Sequence, residues 1–290
     1  MPKASLADVS REIAGLVAAT ARGIAAVHAS CHNSSSAVHW RDGLFVAASE
    51  AIETDEGITL TLPSGNSAAA EFVGRDPTTG IAVLKSDVPD GAPALKPAGR
   101  AEAGNFVVAV GRGEASTLAG FGIVSEAGPA WRSMRGGLID RRLRLSASID
   151  PRTEGGAAID AEGGFIGLVL FGPRRRALVI PAETVDRVAA TLAEKGHMPR
   201  GYLGAGLHPV RQENARGAMV MSLEAGGPAE KAGLVLGDVI TSWDGETVEG
   251  VRDLIRQIGP DSVGKTVALG ILRGGEARNL DIVVGARPRS

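Results

Sequence analysis

Apolar and polar positions alternate in short runs over most of the chain. From about Ala37 the runs LFVAAS, GITLTLP, AAAEFVG, IAVLKS, NFVVAVG and GIVSEAG succeed one another at close spacing, with Gly, Pro, Asp and Ser between them. LRLSASI, GFIGLVLF and RALVIPA extend the series. A period of two bounded by turn residues reads as strand, and many short strands predict a barrel or sandwich rather than parallel β/α units. Two hairpins can be placed. TLPSGNSAAAEFVG turns at Ser64-Gly65, and AAIDAEGGFIGLVL turns at Glu162-Gly163-Gly164.

Helical spacing occurs at both ends of this series. Ile13, Leu16, Val17 and Ile24 predict a partly amphipathic helix near the N-terminus. In PAETVDRVAATLAEKG, Val185, Val188, Ala189 and Leu192 form one stripe between Pro181 and Gly196, a helix with start and stop signals. HMPR then reads as a linker. The C-terminal stretch beyond it has strands, a short GPAEKAG helix, GDVITSWDG and a helix at VEGVRDLIRQIG, enough for an independent domain. The expected organisation is an N-terminal helical segment at 1–30, a β-rich domain at 31–196, a linker at 197–200 and a second domain at 201–290.

Composition narrows the classes. Of 290 residues 44% are hydrophobic but only 3% aromatic, and 40 are glycine, so Val, Leu, Ile and Ala fill the cores between tight turns. The net charge is -2, and Arg174 to Arg176 are too short a basic run to imply nucleic acid; they read as a solvated loop. Cys31 is the single cysteine, so no intrachain disulfide forms, and its thiol reads as idle. No segment approaches the roughly 20 apolar residues of a membrane span. Asp8, Arg11 and Glu12 interrupt any export signal. As it stands the chain reads as cytoplasmic; had an export signal been removed, it would be periplasmic. No cofactor or metal is implied.

GYLGAGL (201–207), GGPAEKAGLVLGDVITSWDG (226–245) and VRDLIRQIG (251–259) together resemble a PDZ domain of the bacterial type. RDGLFVAASEAI, VGRDPTTGIAVLKSD, SIDPRTEGGAAIDAEGGFIGL and the junction VIPAETVDRVAATLAEKG…RGYLG resemble the HtrA (DegP-like) family. The resemblance implies a mostly β fold: a chymotrypsin-like double β-barrel, a linking helix and an α+β PDZ domain. It also implies extended peptides or protein C-termini as partners, and a homo-oligomer.

The same resemblance places the catalytic histidine at Glu50, the aspartate at Gly80 and the serine at Glu154. None of the three is present. Acyl transfer needs a nucleophile, a base in hydrogen-bond reach and a group that orients the base. The oxyanion turn begins with glycine in the family and with Arg152 here, a residue disfavoured at positive φ. Only GPRRR separates IGLVLF from ALVIP, so no deep P1 pocket is expected.

Three readings are open. In the first the chain is not an enzyme but a pseudoprotease, a binding, scaffolding or chaperone-like protein acting through its PDZ groove. There a peptide adds as a strand, and backbone N–H groups catch its carboxylate. Tyr202, Leu203, Gly204 and Ala205 supply the loop. Leu203, Ala205 and Leu207 fall on one face of a regular strand, and Val251 and Ile255 form the opposite wall. In the second, Glu50 and Glu154 face each other as a carboxylate-pair enzyme or a cation site. In the third the chain is an active serine endopeptidase whose site is not recognised; Ser146 and Ser148 lie near the site on a strand, and Ser34 to Ser36 in a loop. His28, His32, His39, His197 and His208 read as ordinary surface or partly buried histidines.

Overall fold

The computed structural model describes residues 5–29, 34–87, 93–212 and 215–287. It forms two compact units, Met1–Trp131 with Ile139–Met198, and Arg132–Leu138 with Pro199–Ser290.

The first unit opens with α1 (Leu6–Ala21). Ser5 Oγ accepts the Asp8 N–H while the Asp8 carboxylate accepts the Ser5 N–H, which satisfies donors the helix start leaves open. Ile13, Leu16 and Val17 pack onto the unit's core. Ile24, expected on this helix, is not part of it. The helix ends at Ala21, and Ile24 begins β1 (Ile24–His28), fully buried. Gly23 lets the chain turn there: a Cβ at this position would lie 2.6 Å from Pro93 O. The strand was not legible because IAAVH is buried on both faces and does not alternate.

β1 joins β2 (Ser35–Arg41), β3 (Leu44–Ala48), β4 (Thr59–Thr61), β5 (Ser67–Ala69), β6 (Glu71–Asp76) and β7 (Ile81–Lys85). Their order is β5-β4-β1-β2-β3-β7-β6, an antiparallel sheet that curls without closing. The β4–β5 hairpin turns where expected, with Thr61 opposite Ser67 and Gly65 at φ 87°. The next set closes into a barrel: β8 (Phe106–Arg112), β9 (Thr117–Gly128), β10 (Arg142–Ala147), β11 (Ala157–Ile159), β12 (Phe165–Phe171) and β13 (Ala177–Pro181). Val38, Val46 and Ile81 of the curled sheet meet Val110, Ile159 and Leu168 of the barrel in one core. α2 (Ala182–Lys195) buries Val185, Val188, Ala189 and Leu192 against it, and Gly196 ends it at φ 70°.

The second unit contains β14 (Ala205–Gln212), β15 (Ala215–Leu223), α3 (Pro228–Lys231), β16 (Val239–Trp243), α4 (Val251–Gln257), β17 (Thr266–Arg273) and β18 (Glu276–Val283). The sheet order is β14-β15-β16-β17-β18, which leaves β14 at an edge. Asp238, just before β16, is fully buried and takes two hydrogen bonds of 2.8 Å from the Arg273 guanidinium. Burial acts to raise the pKa of its carboxyl, but the hydrogen bonds and charge of Arg273 outweigh this and hold it below the usual range. Within the same unit Arg132 grips Asp261 bidentately at 2.8 and 2.7 Å.

Candidate functional site

The structure brings positions 50, 80 and 154 together through the backbone. Glu50 lies in a 3-10 turn, Ser49–Ala51, that comes after β3. The Ser49 N–H donates to Gly80 O at 2.9 Å. Glu154 comes after a second 3-10 turn, Pro151–Thr153, and its carbonyl accepts the Ser36 N–H at 2.8 Å. Gly155, at φ 80°, is pressed against β2 and β3: a Cβ there would lie 2.2 Å from Ser36 O and 2.9 Å from Ala48 N. Gly80 also takes φ 80°, and a Cβ on it would meet Leu170 Cδ1 at 2.8 Å. The space a side chain would need at position 80 is occupied by leucine.

Glu50 is exposed and Glu154 half-buried. Burial pushes the Glu154 carboxyl up. The Phe171 N–H, donating to its Oε1 at 3.4 Å, opposes that, the Glu50 charge adds to it, and Arg175 opposes it from a distance; the net direction is upward. The Glu50 charge therefore reaches the Glu154 carboxyl.

The turn before Glu154 differs from the expectation for Arg152. Arg152 does not take a positive φ. The turn winds as a 3-10 helix instead, capped by Asp150, whose Oδ1 accepts the Arg152 N–H at 2.9 Å. Thr153 N–H donates to Asp150 O at 2.9 Å and Glu154 N–H to Pro151 O at 3.1 Å. In this conformation the N–H groups of residues 152, 153 and 154 are all engaged within the turn rather than directed at a ligand. The Arg152 side chain, then its N–H, hold the Asp150 carboxyl at about 2. Sequence reading missed Asp150, although Asp two residues before an N–H is the signature of such a turn. It also missed Ser36 as a structural residue: Ser36 is fully buried, donates its Oγ proton to Arg152 O at 2.7 Å and accepts the Arg112 N–H at 2.9 Å.

The remaining serines and histidines do not assemble beside Glu154. Ser146 and Ser148 are exposed, and Ser35 is buried. His28 Nε2 is 2.9 Å from Thr61 Oγ1 on β4. His39 packs its ring on Phe45, His197 bonds Lys195 O, and His208 bonds Pro209 O. Cys31 and His32 lie outside the described residues. The GPRRR segment is a short hairpin between β12 and β13, closed by Gly172 N–H to Arg176 O at 2.9 Å.

In the second unit, Tyr202 pairs with Gly285, and Gly204 takes φ 69° just before β14. The Leu203 carbonyl accepts from Ala229 and the Gly204 carbonyl from Glu224, while neither of their N–H groups donates to a backbone carbonyl among the described residues. Leu203 precedes the strand and is 4% exposed in the core, while Ala205 and Leu207 pack against the same core from β14. The register shift between Gly206 and Leu207 places the extra residue, Met221, on β15, so β14 keeps its period of two. Ala205, Leu207 and Val251 are half-buried, and Ile255 is 57% exposed on α4.

A closed barrel packed on a curled sheet, followed by an α+β unit with an open sheet edge, defines a trypsin-like fold carrying a PDZ region. A trypsin-like peptidase domain model matches residues 35–168 and a PDZ domain model residues 201–284. The chain belongs to the HtrA/DegP-like family. It is 33% identical over 266 residues to a probable periplasmic serine endoprotease DegP-like of Brucella suis biovar 1, covering 85% of this chain and 51% of that protein. A protein of the same description from Halomonas elongata is 32% identical over 268 residues, covering 86% and 55%. The chain thus spans about half the length of the curated relatives it matches. Among solved structures, the HtrA-type protease AlgW with decapeptide superposes with a TM-score of 0.72 at 25% identity, covering 96% of this chain and 99% of that one. AlgW with tripeptide gives 0.70 at 27%, covering 96% and 98%.

These comparisons correct the expectation that the chain is not an enzyme. The relatives are named serine endoproteases and the solved neighbours HtrA-type proteases, so the chain falls within an enzyme family. Its own residues at positions 50, 80 and 154 remain Glu, Gly and Glu. The matched relatives are also named periplasmic, which lends no support to a cytoplasmic placement. Among the described residues no helix is long and apolar enough to cross a membrane.

Proposed function

We propose that this chain is an HtrA-type polypeptide-binding protein that captures extended segments by their C-termini in the groove of the second unit. The observation that carries this reading is the unpaired edge of β14 beside the open N–H groups of Leu203 and Gly204. An extended peptide completes such an edge by main-chain hydrogen bonds, and N–H groups at its end receive the carboxylate. Tyr202, Leu203, Gly204 and Ala205 form the carboxylate loop. Ala205 and Leu207 line the groove on the strand side, and Val251 and Ile255 on the helix side. Among the solved neighbours, AlgW is described with a decapeptide. Domains at 31–196 and 201–290 and a periplasmic location belong to the same reading. Fluorescence polarisation with labelled peptides tests it: a free apolar C-terminus binds at about micromolar Kd and its amidated twin more weakly. Equal binding of the two, or no binding of either to folded protein, removes it.

A second reading concerns chemistry in the first unit, and the upward shift at Glu154 beside Glu50 favours it. This reading requires one carboxyl to carry a proton and the other to be ionised. The ionised group accepts a proton from water as it attacks a peptide carbonyl, and the protonated group gives its proton to the leaving amine. Cleavage of denatured casein across pH by the full chain, Glu154→Gln and Glu50→Gln decides it. Cleavage unchanged in both variants, or absent from the unmodified chain at every pH, removes the pair from the chemistry.

A further inference from the structure

The hairpin tip between β12 and β13 carries Arg174, Arg175 and Arg176, all exposed. None of them is within ion-pair distance of a described carboxylate. Elsewhere in the same unit Arg75, Arg142, Arg144, Arg152 and Arg187 each reach one. The tip is also held in a costly backbone shape. Arg174 and Arg175 take φ 60° and 55°, the left-handed region, which costs a side-chain-bearing residue roughly 1–2 kcal/mol. Glycine would sit there without strain, so arginine is kept against the backbone preference. Strain of this kind, once observed, points to a role for the residues that bear it.

The position of the tip defines what it meets. Gly155 N–H donates to Val169 O, Val169 N–H to Gly156 O, and Phe171 N–H to Glu154 Oε1, so the end of β12 runs along the Glu154 turn. Arg175 leans on the Phe171 ring, its Cζ 5.9 Å from the centroid. The Arg175 charge reaches the Glu154 carboxyl, so a segment lying over Glu154 runs beside the tip.

We propose that Arg174, Arg175 and Arg176 are specificity residues that bind acidic side chains of extended polypeptides entering this cleft. Taking the occupant as polypeptide rests on the function proposed above. The charge pattern selects it over nucleic acid: a continuous polyanion would meet Glu50 and Glu154 beside the tip, whereas a polypeptide can set acidic residues on the arginines and neutral ones at the glutamates.

The test uses the full chain and a short labelled acidic peptide with an amidated C-terminus, so that capture of a free carboxylate plays no part. Fluorescence polarisation at low and physiological salt compares the unmodified chain with Arg174→Gly/Arg175→Gly/Arg176→Gln, whose glycines preserve the turn. The acidic peptide binds at least tenfold more weakly to the variant and loses most of its salt dependence, while a neutral peptide of the same length is unaffected. Arg176→Gln alone, at an ordinary φ of -74°, reproduces part of the loss if the triple variant does not fold. Arg100→Gln, at an exposed arginine of the same unit away from the tip, leaves acidic-peptide binding unchanged, which separates this site from general surface charge. Equal acidic-peptide binding by the unmodified chain and the folded variants overturns the proposal, as does a single-stranded oligonucleotide that outcompetes the peptide.

Discussion

The cleft of the first unit and the groove of the second are built from different kinds of atoms. In the first unit, Glu50, Gly80 and Glu154, the positions at which the resemblance would set three catalytic side chains, are joined by a frame of backbone contacts. In the groove proposed for the second unit, the working groups would be the edge of β14 and the N–H groups of Leu203 and Gly204, which belong to the backbone. One substitution changes the chemistry of a side-chain site without disturbing its frame. A backbone site tolerates many substitutions, provided that turns such as Gly204 at φ 69° keep their shape. Frame and chemistry can thus separate in the first unit, while in the second they are nearly the same thing.

The largest expected effect comes from breaking the frame of the cleft. Gly155→Ala forces a Cβ to 2.2 Å from Ser36 O at a positive φ, and should destabilise the first unit by about 3 kcal/mol or more. Urea unfolding measures it, and an unchanged midpoint would mean that the turn is not seated against β2. The corresponding break in the second unit is Arg273→Ala, which leaves the buried Asp238 without its counter-charge and with only the Val235 N–H as donor. A loss of about 3 kcal/mol is expected, together with weaker peptide capture. Unaltered unfolding of this variant would show that the pair does not hold the unit.

Smaller changes sharpen the contrast. Ala205→Trp fills the groove without touching its frame, so free-C-terminus peptides should bind at least tenfold more weakly, about 1.4 kcal/mol, at unchanged Tm. If binding persists, Ala205 does not line the occupied groove. The smallest effect is at Glu154. Its pKa is raised in the folded state, so the penalty for ionising it is absent below the ordinary carboxylate value and develops as pH rises through the folded one. Glu154→Gln should therefore raise Tm by about 1–2 °C at neutral pH and change little in acid. A pH-independent difference would assign the effect to packing rather than charge.

Much of this molecule arises from local signals. Period-two runs, Gly65 and Gly163 at their turns, and the stripe of Val185, Val188, Ala189 and Leu192 suffice for the strands, hairpins and α2, because neighbouring residues specify turn geometry and amphipathic faces. The same holds for the identities at positions 50, 80 and 154. Tertiary structure decided what depends on distant neighbours. Ile24 became a strand because both faces of β1 are covered. Arg152 avoided positive φ because Asp150 and Pro151 wound the turn differently. Leu203 entered the core because it precedes β14 and the apolar cluster behind that strand took the side chain. The upward shift at Glu154 arises from burial and from the Glu50 charge, against the Phe171 N–H, groups that chain order does not place beside it. Local pattern determines which elements form, whereas burial and charge are set by whatever the folded chain brings within a few ångströms.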